Sequence, residues 1–219
     1  MTTRDAENCW PHRLAVVLVC ATFPLIWVGA LVTTEGAGMA VPDWPTTYGY
    51  NMFLYPWTTW LFGPWDLFIE HGHRLLASFV GLLTIALLMV LLLREPRIWV
   101  RWLGALALLL VCGQGVLGGM RVLMDDVLLA KLHGCLGPLF FAVCVAIACV
   151  TSRWWRQARP AAHLAGAGTV QGGAVVLTLL AYLQLVLGAQ LRHVAAGAGH
   201  AGFQAAVWGH VVMAFVVVG

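Results

Sequence analysis

Six apolar runs, each near the length that crosses a lipid bilayer, decide what this chain can fold into. They lie at about 14–33, 72–93, 99–120, 132–151 and 172–191, with a sixth that begins near Phe203 and runs to Gly219. A membrane helix needs about 20 mostly apolar residues. Inside lipid the backbone finds no water to bond, so runs of this kind become helices. Composition agrees, with 61% of the 219 residues apolar and 10% charged, against about half and a quarter in a soluble domain. The predicted fold is all-α, a polytopic transmembrane helical bundle whose first partner is membrane lipid. Nothing in the sequence predicts a nucleic-acid partner.

Alternate crossing places Arg4, Arg13, Arg94, Arg97, Arg101, Arg153, Arg156 and Arg159 on one side, and only Arg74, Arg121, Lys131 and Arg192 at the opposite helix ends. The positive-inside rule then sets the N-terminus in the cytoplasm. Glu35, Asp43, Asp66, Asp125 and Asp126 fall outside. The first run is longer than a usual signal core and lacks a small-x-small cleavage site, so it reads as a retained helix. Of the six cysteines, all but Cys9 lie in predicted helices and none forms a CxxC pair, which reads as small apolar packing residues and not as a disulfide framework.

The first external loop, about 34–66, is too long for a plain connector. Its glycines and prolines exclude regular helix through much of it, and Trp44, Trp57, Trp60 and Trp65 fit an interfacial aromatic belt, so an ordered cap on the outer membrane surface is expected. The end of the first run, "WVGALVTTEGAG", echoes the end of the fifth, "LVLGAQLRHVAAGAG". This suggests duplicated halves. The predicted organisation is an N-terminal four-helix half at 1–152, a cytoplasmic linker at 153–171, and part of a second pseudo-repeat, two helices, at 172–219.

Ionisable groups inside a span are costly and turn toward the bundle interior or a cavity. His73, His133 and His210 lie near the outer ends of the second, fourth and sixth helices, at similar depth. In the second helix Glu70 and His73 share a face, while His71 and His73 point about 200° apart. If one of those two histidines turns inward, the other faces headgroups or the cap. Two readings stand for His73 and His133: ligation of one metal from opposite sides, as two imidazoles hold a haem iron, or polar groups satisfied by water and carbonyls. Zinc is disfavoured because no close third ligand completes a tetrahedral set. Arg74, Arg121, Lys131 and Arg192 either pair with carboxylates of a cofactor or snorkel to lipid phosphates. Gly113, Gly115, Gly118 and Gly119 give the third helix a small-residue surface, for packing or to admit a flat macrocycle. Pro138 is expected to kink the fourth helix below His133.

In order along the chain, "GALVTTEGAGMAVPDWPTTYG", "IEHGHRLLASFVGLL", "AKLHGCLGPLFFA" and "LQLVLGAQLRHV" resemble the haem A synthase family of cytochrome oxidase assembly proteins. The resemblance implies two four-helix halves in a bacterial-type plasma membrane. It implies oxidation of a haem O methyl group to a formyl, with haem b as cofactor. His73 and His133 then correspond to the histidine pair that holds the haem being modified, Glu70 to a catalytic carboxylate, and His210 to one haem b ligand. Arg74, Arg121, Lys131 and Arg192 become candidate propionate contacts. Implied partners are haem O, haem O synthase, cytochrome oxidase subunits and a second copy of the chain. The alternative is a b-type electron-transfer protein or haem carrier without catalysis. Two features depart from the family pattern: Val41 stands in a loop that often carries a cysteine pair, and the sequence stops at Gly219 before a seventh and eighth helix, a truncation under which His193 or His200 is a poor substitute ligand.

Overall fold

Every apolar run is helical, and most of the helices extend past the run that announced them. The computed structural model describes residues 9–157, 166–193 and 199–218. Its helices are α1 (Trp10–Thr34), the short α2 (Trp57–Leu61), α3 (Trp65–Arg94), α4 (Ile98–Met124), α5 (Val127–Thr151), the short α6 (Arg153–Gln157), α7 (Ala167–Arg192) and α8 (Gly199–Val218). Among the described residues, the six long ones are each apolar and long enough to cross a membrane. Arg4, Arg159, residues 158–165 of the proposed linker and most of the second Gly-Ala-Gly turn lie outside the described residues.

The largest difference from the apolar pattern is at α3, which starts at Trp65 and not near 72. Pro64 caps its start with extended backbone, and Asp66 in the first turn complements the helix dipole. The added turns carry Glu70 and His71 inside regular helix, where the loop above covers them. At the next turn, Asp125 adopts a left-handed conformation (φ 47°) that ends α4, and the Asp126 side chain accepts a bond from Leu129 N–H to start α5.

The chain divides into two compact units between Gln157 and Ala158. In the first, α1 and α4 each pack against both α3 and α5, a four-helix bundle. Its fully buried apolar cluster joins Leu18 of α1, Val80, Leu87 and Leu91 of α3, Val100 and Ala107 of α4, and Phe140, Cys144 and Ile147 of α5. These run from the middle of the helices to the end away from the 34–66 loop. That loop is ordered: a 3-10 turn at Ala37–Met39, a two-residue antiparallel pair β1 (Thr46–Thr47) and β2 (Tyr50–Asn51), a second 3-10 turn at Met52–Leu54, and α2. Gly36, at φ 65°, makes the turn out of α1 that a side chain would strain. Trp57 and Trp65 are exposed, whereas Trp44 and Trp60 turn inward to pack, so only part of the expected aromatic belt faces out. In the second unit α7 packs against α8.

Candidate functional site

Two helices of the first unit bring His73 and His133 together, with ring centroids 6.4 Å apart and planes at 78°. Each ring is backed by a glycine on a neighbouring helix. A Cβ on Gly29 of α1 would lie 2.8 Å from Cε1 of His73, and one on Gly118 of α4 would lie 3.1 Å from Cε1 of His133. The His133 Nδ1–H donates to the carbonyl of Gln114 at 3.1 Å, which leaves Nε2 with its lone pair for a ligand. Nδ1 of His73 is buried without a hydrogen-bond partner of proper geometry; the Leu25 carbonyl gives it only a weak interaction. Both rings are crowded by protein yet keep some accessible surface, as side chains lining a cleft do. The fully buried apolar cluster stops short of this level, so this end of the bundle is the less tightly filled one.

His71 takes the other direction. It is buried, shares a hydrogen bond with the Thr47 hydroxyl at 3.1 Å, and packs against Tyr55 and Trp60 at 5.2 and 5.4 Å. The opposed faces read from the helical period thus separate a cap histidine from a bundle histidine.

The carboxylate and arginine beside them form a clamp on the loop. Arg74 donates from Nη1 to the carbonyls of Asp43 (2.7 Å) and Thr46 (3.1 Å), and from Nη2 to the Val41 carbonyl (2.8 Å) and Glu70 Oε1 (2.6 Å). Glu70, 3% exposed, also accepts from Val41 N–H at Oε2, 2.9 Å. Val41 itself is fully buried, so this position serves as a backbone anchor. Four of the five N–H groups of Arg74 are consumed here, and only Nε–H is left for any other acceptor. Asp43 pins the next turn, accepting from Tyr48 N–H, Gly49 N–H and the Thr46 hydroxyl. Burial pushes the Asp43 carboxyl up, but these three donors outweigh it and hold it below the usual carboxylate range. The Tyr48 hydroxyl donates to the Ala40 carbonyl and closes the loop further.

Arg121 is differently placed. Its guanidinium lies against Gly38 of the cap, close enough that a Cβ there would overlap it, and it is near enough to act electrostatically on both His73 and His133. Among the described residues it has no anionic partner, since the ion pairs join Arg74 to Glu70 and Arg97 and Arg156 to Glu95. Lys131 lies half-buried on α5, two residues before His133 and so turned about 200° from it around the helix, and Arg192 is exposed at the end of α7. The glycines of α4 divide: Gly118 seats His133, Gly119 seats the Trp44 indole, and Gly113 and Gly115 face open space.

In the second unit His210 repeats the seat. A Cβ on Gly188 would lie 3.1 Å from its Cε1, its Nδ1 is buried without a partner, and the Gln184 amide lies 3.4 Å from its Nε2. Gly29–Ala30 and Gly188–Ala189 are the steps that echo one another in the sequence, and in each unit that glycine touches the histidine of the following long helix. His200 is exposed and bonded to Gln204, and His193 ends α7. No group of three or more His, Cys, Asp or Glu side chains among the described residues could hold a metal by itself.

Two features escaped sequence reading: Asp43 as a turn anchor, and the buried Glu95 described below. Asp43 was legible in principle, since Pro-Asp-Trp-Pro followed by Tyr-Gly is turn chemistry.

The model of a family described as cytochrome oxidase assembly protein matches residues 64–216, well over half the chain. The chain belongs to that family. Within cytochrome oxidase assembly proteins it is similar to a protein named heme A synthase from Shouchella clausii (strain KSM-K16), with 26% identity over 196 residues, covering 87% of this chain and 62% of that relative. The chain thus spans less than two thirds of that relative's length. No solved structure matches it. Family membership together with six membrane-length helices makes this cytochrome oxidase assembly protein an integral membrane protein. The match takes in His73, His133 and His210, the residues placed on glycine seats.

Proposed function

We propose that this protein is a haem A synthase-type oxidoreductase, which binds haem O as substrate through His73 and His133 and takes part in oxidising a ring methyl to a formyl for cytochrome oxidase assembly. The observation that carries the reading is the 6.4 Å spacing of the two imidazoles. With a metal–nitrogen reach of about 2 Å from each ring, two imidazoles this close could together hold one haem iron. With no third ligand nearby among the described residues, two nitrogens would suit an iron that a macrocycle also binds. When bound, such an iron supplies the oxygen chemistry, with dioxygen and an electron donor from outside the chain.

The side chains do the rest. His133, oriented by the Gln114 carbonyl, and His73 hold the substrate at a fixed height and angle. Arg121, next to both rings and without an anionic partner among the described residues, is the proposed propionate contact at this pair; Lys131 remains a candidate there, Arg192 of the second unit is a candidate at His210, and Arg74 could add only Nε–H. Glu70 is proposed as a positioning residue that fastens the cap and Arg74 to the helix carrying His73. A proton-transfer role would require it to release Val41 N–H or Arg74. His210 is proposed as one ligand of a haem b cofactor; the described residues of its unit supply no second imidazole facing it, so a two-histidine mount is not complete within them. The N-terminus is proposed to be cytoplasmic, because Arg13, Arg94, Arg97, Arg101, Arg153 and Arg156 gather at the end of the first unit away from the cap.

A second reading, a haem carrier or electron-transfer protein, is favoured by one observation: both Glu70 oxygens are occupied, so the site offers no free carboxylate base. Co-expression with a haem O supply in a host lacking haem A separates the two. Haem A or its hydroxylated precursor in the extract supports the enzyme; unmodified haem held in stoichiometric amount moves the assignment to the carrier.

A further inference from the structure

Three histidines share one kind of seat, and the residue one turn before the seating glycine differs among them. In α1 that residue is Leu25, four before Gly29; in α4 it is Gln114, four before Gly118; in α7 it is Gln184, four before Gly188. The last two lie in near-identical pentapeptides, "QGVLG" and "QLVLG". Residues four apart on a helix share a face, so each lies on the side of its helix that meets the histidine.

The two glutamines are used differently. Gln184 turns its amide nitrogen to His210, 3.4 Å from Nε2. Gln114 meets His133 only through its backbone carbonyl, and its side-chain amide nitrogen is buried with no hydrogen-bond partner. A buried amide donor without an acceptor costs about 1–3 kcal/mol. A leucine, as at position 25, would avoid that cost. Gln114 also lies seven residues before Arg121, which returns it to the same face of α4 about 10 Å further along the helix, a distance comparable with the span of a porphyrin ring.

Resting on the reading that haem O lies between His73 and His133, we infer that Gln114 is a specificity residue: its amide donates to the hydroxyl oxygen on the isoprenoid-bearing substituent of haem O, while Arg121 takes the carboxylate edge. A site built to bond a substrate hydroxyl rejects the analogue lacking it far more strongly than an apolar site can, because the donor is then left unpaired. The chain would thereby distinguish haem O from haems without that oxygen.

The test uses the full chain in detergent, titrated with haem O and with dehydrated haem O, which keeps the isoprenoid tail and lacks the oxygen. The readout is the low-spin bis-histidine absorption. Wild type is expected to prefer haem O by at least tenfold, and Gln114→Leu to reduce the preference to near unity while binding the dehydrated haem as well as wild type or better. Gln114→Ala, with helical content checked by circular dichroism, repeats the test should the leucine variant fail to fold. Equal affinity of wild type for both haems overturns the inference, as does a Gln114 variant that keeps the preference. Equal weakening of both haems also overturns it, by showing that the amide contacts a feature they share. If neither haem gives a low-spin spectrum with wild type, the histidine-pair reading itself fails, an outcome distinct from all the others.

Discussion

Cε1 of His73 leaves no room for a side chain on Gly29, where a Cβ would lie 2.8 Å away. The corresponding distance between Gly118 and His133 is 3.1 Å, a milder conflict. Forcing a methyl group into a packed contact costs about 1–3 kcal/mol, and about 1.4 kcal/mol is tenfold in affinity. Gly29→Ala is therefore expected to weaken haem binding about tenfold and Gly118→Ala less, with helical content unchanged. Haem titration of the two variants checks the order; equal, wild-type affinities in both would show that the glycines are not seats.

Arg74 joins four acceptors that belong to two separate parts of the chain, the loop 41–46 and the first turns of α3. A lysine keeps the charge but cannot fork to carbonyls on both sides. Arg74→Lys should keep a charge for Glu70 but leave some of the loop carbonyls unpaired, at a cost of about 1–3 kcal/mol. Amide exchange at Val41 and Thr47 is expected to rise in this variant while exchange in the Leu18–Ile147 region of the bundle stays slow. Uniform acceleration throughout would mean that Arg74 supports the whole unit and not the cap.

The Asp43 carboxyl is held below its ordinary value, so its contribution to cap stability has a definite direction with pH. It is fully present above the unfolded value of about 4 and is lost as pH falls through the lower folded value. Cap protection should be level from pH 7 to about 5 and decline below about 4, and Asp43→Asn should flatten that decline. Exchange rates at Tyr48 and Gly49 N–H, whose acceptor is this carboxylate, report it directly.

The membrane helices were legible because apolar length is decided residue by residue, without reference to partners. Their ends were not: α3 gains seven residues beyond its apolar run because the cap, a distant segment, covers Glu70 and His71. The histidine pair was half legible. Depth and direction put His73 and His133 at one level, but whether they meet depends on helix rotation, and that is fixed by Gly29 and Gly118 on other helices. Among the four glycines at 113–119 of α4 the sequence offers no means of telling Gly118 and Gly119, which seat rings, from Gly113 and Gly115, which do not. Arg74 and Arg121 likewise look alike as cations at outer helix ends, and differ only because the loop returns three carbonyls to one of them.

At the end of the bundle away from the cap, Glu95 is 1% exposed and accepts from Arg97 Nε (2.7 Å) and Nη2 (3.0 Å), with Arg156 at 3.5 Å. Burial pushes its carboxyl up, but the bonds from Arg97 outweigh that and keep it lowered. Arg97 Nη2 also donates to the Val150 carbonyl, and Arg101 Nε to the Glu95 carbonyl, so the pair ties the α3–α4 turn to the end of α5. Removing one partner of a buried ion pair leaves the other charge uncompensated, at about 3–5 kcal/mol. Glu95→Ala should therefore lower thermal stability markedly, and Glu95→Gln, which keeps an acceptor for Arg97, should lower it less. The haem affinity of whatever remains folded should be unchanged in both, since His73 and His133 lie at the opposite end of their helices. Melting followed by circular dichroism, with haem titration alongside, separates the two effects. A Glu95→Gln variant with full stability but weakened haem binding would instead couple this end of the bundle to the histidine pair.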